Sequence, residues 1–374
     1  MAEANPSAEA LNLSRLVEDV EQTLRQYFEL RQPELERIGP PAVQAVDFLR
    51  SLVFGGGKRI RPAYTVAGFL AAGGTTNADA ELGYDALLQV ASAFELIQAC
   101  ALAHDDVIDA SDTRRGQATI HRAAEAHHRE NGWHGESAHF GESVAILAGD
   151  LALAWADDMF STADVSPQRL VDALQAWRCM RTEVIGGQLL DIFLESEGSE
   201  SLELANNVNR FKSAAYTIER PLHVGACLAG GSPEIIRVLR QYGRDIGIAF
   251  QLRDDLLGVF GDPAKTGKPA GDDLREGKRT VLVTRAIQLS TEAGDAACAA
   301  MIREQVGNVN DPEQIQALAQ HIKETGAVEE VEQHIDELTD RGIASLDAAR
   351  QLGAPAEAMA LLEVLTELAT ARKF

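Results

Sequence analysis

Residues 104–116 read HDDVIDASDTRRG. Asp105, Asp106 and Asp109 crowd together there, and Arg114 and Arg115 follow at once. On a helix Asp105 and Asp109 are four residues apart and share a face. Like charges at that spacing cost a bare helix roughly a few tenths of a kcal/mol, so something must offset them. A second acidic pair, Asp254 and Asp255, stands in GIAFQLRDDLLGVFGD (247–262). Hard carboxylate oxygens suit Mg²⁺, which takes one or two protein carboxylates and fills its shell with waters and phosphate oxygens. A lone acidic run reads as a solvated helix end. Two runs, each closing an apolar helical stretch, read better as two walls of one metal-binding cavity.

Cations are scarce in this chain: 57 Asp and Glu stand against 34 Lys and Arg, a formal net charge of −23. Such a surface argues against a nucleic-acid partner and against a polybasic membrane anchor. An anionic ligand must then be caught by a local cluster or through a metal. GGGKRIRP (55–62) sets Lys58, Arg59 and Arg61 after a glycine turn that lets the backbone approach a ligand closely. Arg114 and Arg115 adjoin the first aspartates, Lys212 lies in RFKSAAYT, and Lys268 and Lys278 lie in KTGKPAGDDLREGKRT. Lys and Arg at such places supply point-charge and fork-shaped phosphate contacts.

The elements that must carry these groups are helices. Ala, Leu, Glu, Gln and Arg dominate, and strand-like alternation is scarce. LSRLVEDVEQTLRQYFELR (13–31) has apolar residues at helical spacing, and Gly and Pro punctuate the chain near 39–41, 55–57, 73–74, 131–132, 230–231 and 262–273. The expected architecture is all-α, with residues 1–12 frayed and 13–374 forming a single domain. The polar stretch EAHHRENGWHGESAHFGES (125–143) reads as an exposed loop or short helix, and its histidines fit no usual metal-ligand spacing. Trp155 and Trp177 read as core. Cys100, Cys179, Cys227 and Cys298 are scattered, which suggests a reduced, cytoplasmic protein. The N-terminus does not read as a secretory signal, and no uncharged apolar run is expected to span a membrane.

Six stretches together resemble the trans-type isoprenyl diphosphate synthases, the family that includes farnesyl and geranylgeranyl diphosphate synthases. They are GGKRIRP (56–62), HDDVIDASDTRRG (104–116), GGQLLD (186–191), KSAAYT (212–217), GIAFQLRDDLLGVFGD (247–262) and GKPAGDDLREGKRT (267–280). The resemblance covers about residues 40 to 285 and implies an isoprenoid synthase fold, one large helical bundle around a central active-site cavity. It implies Mg²⁺ held by Asp105, Asp109 and Asp254, with Asp106, Asp255 and Asp191 near the metal. Arg114, Lys212 and Lys268 would contact an allylic diphosphate, with Lys278 behind them. Lys58, Arg61, Gln98 and Arg115 would hold isopentenyl diphosphate. Gln251 and Ser213 would face a developing carbocation. The partners implied are isopentenyl diphosphate, the dimethylallyl, geranyl or farnesyl primers, and a second copy in a homodimer. The chain departs from the pattern at Gly258, where a third aspartate is usual and which puts support of the metal in doubt, and at Ser213, where threonine is commoner.

Chain length would depend on the cavity floor. Ala101 and Cys100, four and five residues before Asp105, lie about one turn, ~5.4 Å, below it. Both are small, and Phe94 would form a deeper floor. A product longer than fifteen carbons, geranylgeranyl diphosphate, is therefore expected. A terpene cyclase or a head-to-head synthase would not need GGKRIRP. A synthase of another product length, or a non-catalytic partner subunit of another synthase, remains as the alternative, the latter resting on Gly258 alone.

Overall fold

The computed structural model describes residues 13–76, 82–261 and 270–370. The N-terminal dozen and Lys268 lie outside the described residues. The chain is all-α, as its composition implies. The first helices are α1 (Leu13–Ile38), α2 (Pro40–Phe54), α3 (Ile60–Ala71) and α4 (Tyr84–Ile108). A two-residue antiparallel bridge pairs Thr113 with Ala118 and Arg114 with Gln117. Then come α5 (Ile120–Glu130), α6 (Ser137–Ser161), α7 (Pro167–Glu197) and α8 (Leu202–Val208). A π-helical segment (Asn209–Glu219) leads into α9 (Arg220–Leu228) and α10 (Pro233–Phe260). The remainder is α11 (Asp272–Glu276), α12 (Val281–Glu292), α13 (Ala296–Gln305), α14 (Pro312–Glu324), α15 (Ala327–Gln351) and α16 (Ala356–Thr370).

Sequence sets the ends of the site-bearing helices. Ser232 caps α10 by accepting the Ile235 amide, and Pro233 follows at the first helical position, where its missing N–H costs nothing. Pro167 opens α7, and Gly198, at φ 61°, closes it in the left-handed conformation. Helix α4 is buried on nearly every side from Ala86 to Ile97. By length and mean hydropathy it could cross a membrane, but Glu95 interrupts its apolar run and 72% of that window is buried inside the protein. It is a core helix.

Two apolar clusters organise the molecule. The larger joins α1 to α7 with α9, the first half of α10 and α16; Trp155 and Trp177 both belong to it. The smaller packs the later part of α10 against α12 to α15. The histidine-rich stretch comprises the end of α5, an exposed turn (131–136) and the start of α6. Trp133 lies edge-on to the rings of His127, His128 and Phe140 at 5.2–5.9 Å, and His128 is buried with Nε2 3.1 Å from the His134 carbonyl. These side chains fasten the turn between α5 and α6.

Candidate active site

A cavity of about 640 Å³ opens between α4, α7, the π-helical segment and α10. It is lined by Asp105, Arg114, Asp191, Lys212, Ser213, Gln251, Asp254, Asp255 and Lys278. The two acidic runs do converge on one space. The π-helical segment is pressed between two close glycine approaches. A β-carbon at Gly187 would meet the Lys212 amide nitrogen and its Cα, the latter at 2.8 Å, and one at Gly247 would meet Ala214 Cα at 2.7 Å. Glycine is needed at both positions for backbones to come this near. Widened helical turns of this type concentrate at functional sites, and here Lys212, Ser213, Tyr216 and Thr217 all line the cavity.

The acidic cluster is held by cations. Lys212 Nζ lies 2.6 Å from Asp191 Oδ2 and 3.7 Å from Asp105 Oδ1. Arg114 places Nη2 2.6 Å from Asp106 Oδ1 and 3.6 Å from Asp105 Oδ2, and Lys278 Nζ stands 3.5 Å from Asp109 and 2.7 Å from Glu276. The Gln188 amide donates to Asp105 Oδ1 at 2.9 Å. These contacts offset the like-charge repulsion read from the sequence. Burial opposes the charged form of Asp105, yet Lys212, Lys278, Arg114 and Gln188 together hold its carboxyl below the ordinary range. For Asp109 burial and the neighbouring Asp105 prevail and push the carboxyl up. Lys212 and Lys278 resist the loss of charge that burial favours, because Asp105 and Asp191 surround the first and Asp273, Glu276 and Asp109 the second.

The second acidic pair is split in role. Asp254 is exposed to the cavity. Asp255 is buried, and burial followed by the charge of Asp273 pushes its carboxyl up to about 8. It accepts hydrogen bonds from Gln251 Nε2 at 2.7 Å and Asn209 Nδ2 at 3.4 Å. Gln251 is thereby fixed with its amide nitrogen toward Asp255 and its oxygen on the opposite side of the group. Gly258, the departure from the family pattern, lies against Asp273: a β-carbon there would fall 2.5 Å from the Asp273 Cγ. Asp273 also lines the cavity, so a carboxylate stands where the helix itself offers none. Asp262 lies outside the described residues.

The residues expected to hold isopentenyl diphosphate are not all brought together. Arg61 and Gln98 line the cavity. Arg61 stacks over the Tyr216 ring at 4.0 Å and donates to Thr217 Oγ1 at 3.1 Å, while Tyr216 donates to Gln98 Oε1. Lys58 instead lines a smaller cavity of about 280 Å³ between α1, α3 and α16, which shares Phe250 with the first. Arg115, at φ 52°, donates to the Gly56 carbonyl and does not line the main cavity. Of the expected floor residues, Cys100 and Ala101 line the cavity but Phe94 does not. Its ring is fully buried against Trp177 at 5.1 Å. His104 is positional, with Nε2 3.0 Å from the Ile146 carbonyl. Sequence reasoning missed Gln188, Asn209, Tyr216, Thr217 and Asp273; of these all but Asn209 stood inside quoted motifs.

The donor set fits magnesium. Among the described residues no three acidic, His or Cys side chains stand close enough to cage an ion alone. Mg²⁺ asks for less: one or two carboxylates, with water and phosphate completing the octahedron. Asp105 on one wall and Asp254 on the other offer that. Asp109, expected beside them, does not line the cavity; it lies one turn beyond Asp105 with its carboxylate 3.5 Å from Lys278 Nζ.

The sequence model of the polyprenyl synthetase family matches residues 44–322. The chain belongs to the polyprenyl synthetase family of prenyltransferases. It is 33% identical over 249 residues to a short chain isoprenyl diphosphate synthase of Methanocaldococcus jannaschii, covering 65% of this chain and 66% of that one. It is 32% identical over 313 residues to a (2E,6E)-farnesyl diphosphate synthase of Mycobacterium tuberculosis, covering 83% and 78%. A crystal structure of geranylgeranyl pyrophosphate synthase from Corynebacterium glutamicum, complexed with isoprenyl diphosphate and magnesium, is 54% identical with a TM-score of 0.93, over 97% of this chain and all of that one.

Proposed function

We propose that this polyprenyl synthetase condenses isopentenyl diphosphate with an allylic diphosphate (dimethylallyl, geranyl or farnesyl) in a Mg²⁺-dependent head-to-tail elongation, with geranylgeranyl diphosphate as product. The observation that carries the reading is that Asp105 and Asp254, from helices far apart in sequence, line one cavity whose lower walls are apolar. The Corynebacterium synthase, bound to magnesium and isoprenyl diphosphate, supports it. Magnesium, held by Asp105, Asp109 and Asp254, would supply Lewis-acid stabilisation of charge on the leaving diphosphate.

In this reading the chain's own residues do the rest. Lys212, Arg114 and Lys268 grip the allylic diphosphate, Lys278 stands behind them, and the allylic C–O bond breaks with its electron pair leaving on the diphosphate. The Gln251 oxygen and the Ser213 hydroxyl offer partial negative charge to the carbocation, and Ile97, Ala101, Leu153 and Val184 keep water from it. Arg61, Gln98, Lys58 and Arg115 align isopentenyl diphosphate so that its π bond attacks. For Lys58, in the second cavity, and for Arg115, bonded to the Gly56 carbonyl and off the main cavity, this requires rearrangement. The proton lost from the adduct passes to the departed diphosphate, since no side chain is an obvious base.

The small Cys100 and Ala101 beneath Asp105 support a product beyond fifteen carbons. Residues 13–374 are taken as one domain. Exposed Ile146 and Leu147 on α6 and Phe193 on α7 are apolar surface suited to a second copy, which supports a homodimer. The four free thiols suit a cytoplasmic setting. Incubating the purified protein with Mg²⁺, isopentenyl diphosphate and each labelled primer, then sizing the products, tests the reading. Asp105→Ala is expected to lower turnover at least about 100-fold with the fold intact. No elongation by the wild-type protein would instead favour a partner subunit of another synthase.

A further inference from the structure

The far end of the cavity carries charge where the proposed reaction would put hydrocarbon. Gln188 of α7 touches Asp105, and Arg181 lies seven residues before it, about 10 Å down the helix at 1.5 Å per residue. Between them α7 presents Val184 and Ile185 to the cavity, both apolar, and then the Arg181 side chain. Opposite stand Ile97, Ala101 and Leu153.

Arg181 is not a loose surface group. Its Nη1 lies 2.6 Å from Asp157 Oδ2, and the other oxygen of that carboxylate accepts the Trp177 indole N–H at 2.6 Å. Trp177 is fully buried, stacked on Phe160 at 4.4 Å and edge-on to Phe94 at 5.1 Å. The guanidinium is thus tied through Asp157 to a rigid aromatic block one turn beneath it. Phe94, the floor that the sequence suggested, belongs to that block and lies behind the ion pair.

We propose that Arg181, positioned by Asp157, is the residue that fixes product length: a polar floor at which elongation stops. This rests on the elongation reading. Each added isoprene unit gains by burying apolar surface along Ile97, Ala101, Leu153 and Val184. The unit that reaches Arg181 gains nothing comparable, because it must strip water from a guanidinium or separate it from its carboxylate. Charge, more than bulk, sets the stop.

Arg181→Met keeps length and removes charge, and Arg181→Lys keeps charge. The Met variant is expected to shift the main product by at least one isoprene unit, and the Lys variant to keep the wild-type product. A folded Met variant with unchanged melting temperature and an unchanged product distribution overturns the proposal. A second measurement needs neither a variant nor turnover: calorimetric affinities of the wild-type protein for farnesyl, geranylgeranyl and geranylfarnesyl thiolodiphosphates. Affinity is expected to hold or rise to geranylgeranyl and then fall about tenfold. A continued rise at the longest tail refutes the floor. Absence of elongation by the wild-type protein refutes the enzymatic reading alone, and the affinity series still decides the floor.

Discussion

The paired glycines of GGQLLD give a test in which neighbouring substitutions have opposite outcomes. Gly187 faces the π-helical segment, and a β-carbon there would stand 2.8 Å from the Lys212 Cα and nearer still to its amide nitrogen. Ordinary contact begins at 3.4 Å, so α7 and the segment must part by at least 0.6 Å, and both offending atoms are backbone that cannot rotate away. Overpacking of this kind costs about 3 kcal/mol at the upper end of its usual range. The helix regains ~1 kcal/mol on replacing glycine by alanine, leaving a loss of about 2 kcal/mol. For a chain of 374 residues, an unfolding entropy of about 2.1 cal/mol/K per residue turns that into a melting-temperature drop of ~2–3 °C. Turnover should fall further, by about 100-fold, because the displaced Lys212 is the cation between Asp105 and Asp191. Gly186, one residue earlier, has nothing within 4 Å of its β-carbon position. Gly186→Ala should raise the melting temperature by ~1 °C and leave turnover unchanged. Calorimetry and a steady-state elongation assay on both variants settle the matter. A Gly187→Ala protein as stable and active as wild type would refute the close-approach argument.

Gly258→Asp, which restores the family's usual residue, should lower both stability (by about 1–3 kcal/mol) and turnover, because its β-carbon would press on Asp273. Adding Asp273→Gly should recover part of both, and a single variant more active than wild type would show that Asp273 does not occupy that role. His223 is pushed down to about 3 by burial and then by Arg240 and Arg220. A histidine depressed in the folded state contributes stability that is present above its unfolded value of about 6.5 and is lost as pH falls toward the folded one. Between pH 7.5 and pH 5 wild type should lose about 2 kcal/mol more than His223→Gln in urea unfolding; parallel losses would contradict the assignment.

The legible part of this molecule was its strong local patterns. Acidic pairs ending apolar helices placed Asp105 and Asp254 on one cavity, and the helical composition gave the all-α fold. The illegible part lay where a residue's meaning depends on distant partners. Arg181 sits in a helix with apolar side chains both toward the cavity, as at Val184, and toward solvent, as at Phe193. No single stripe marks its inner face, and the arginine reads as surface. Phe94 was placed at the right depth but behind the wall, because sequence spacing gives height along a helix and not which side chain stands in front. The histidine stretch looked solvated because its own Trp133 and Phe140 meet the rings of His127 and His128 only once the turn between α5 and α6 folds them back.

The charge distribution explains how a chain of net charge −23 can serve anions at all. Surface charges farther than about 8 Å are screened at physiological salt, so the global field fades at the mouth of the cavity. Inside, screening is weaker and nearest neighbours dominate. There the cations are paired with carboxylates: Lys212 with Asp191 and Asp105, Lys278 with Glu276 and Asp109, Arg114 with Asp106. Those pairs keep the cations charged despite burial and hold them at fixed points: Arg114 on the short bridge after α4, Lys212 on the π-helical segment and Lys278 between α11 and α12. An incoming anion meets them already in position, and selectivity for it resides in these few groups, against the sign of the molecule as a whole.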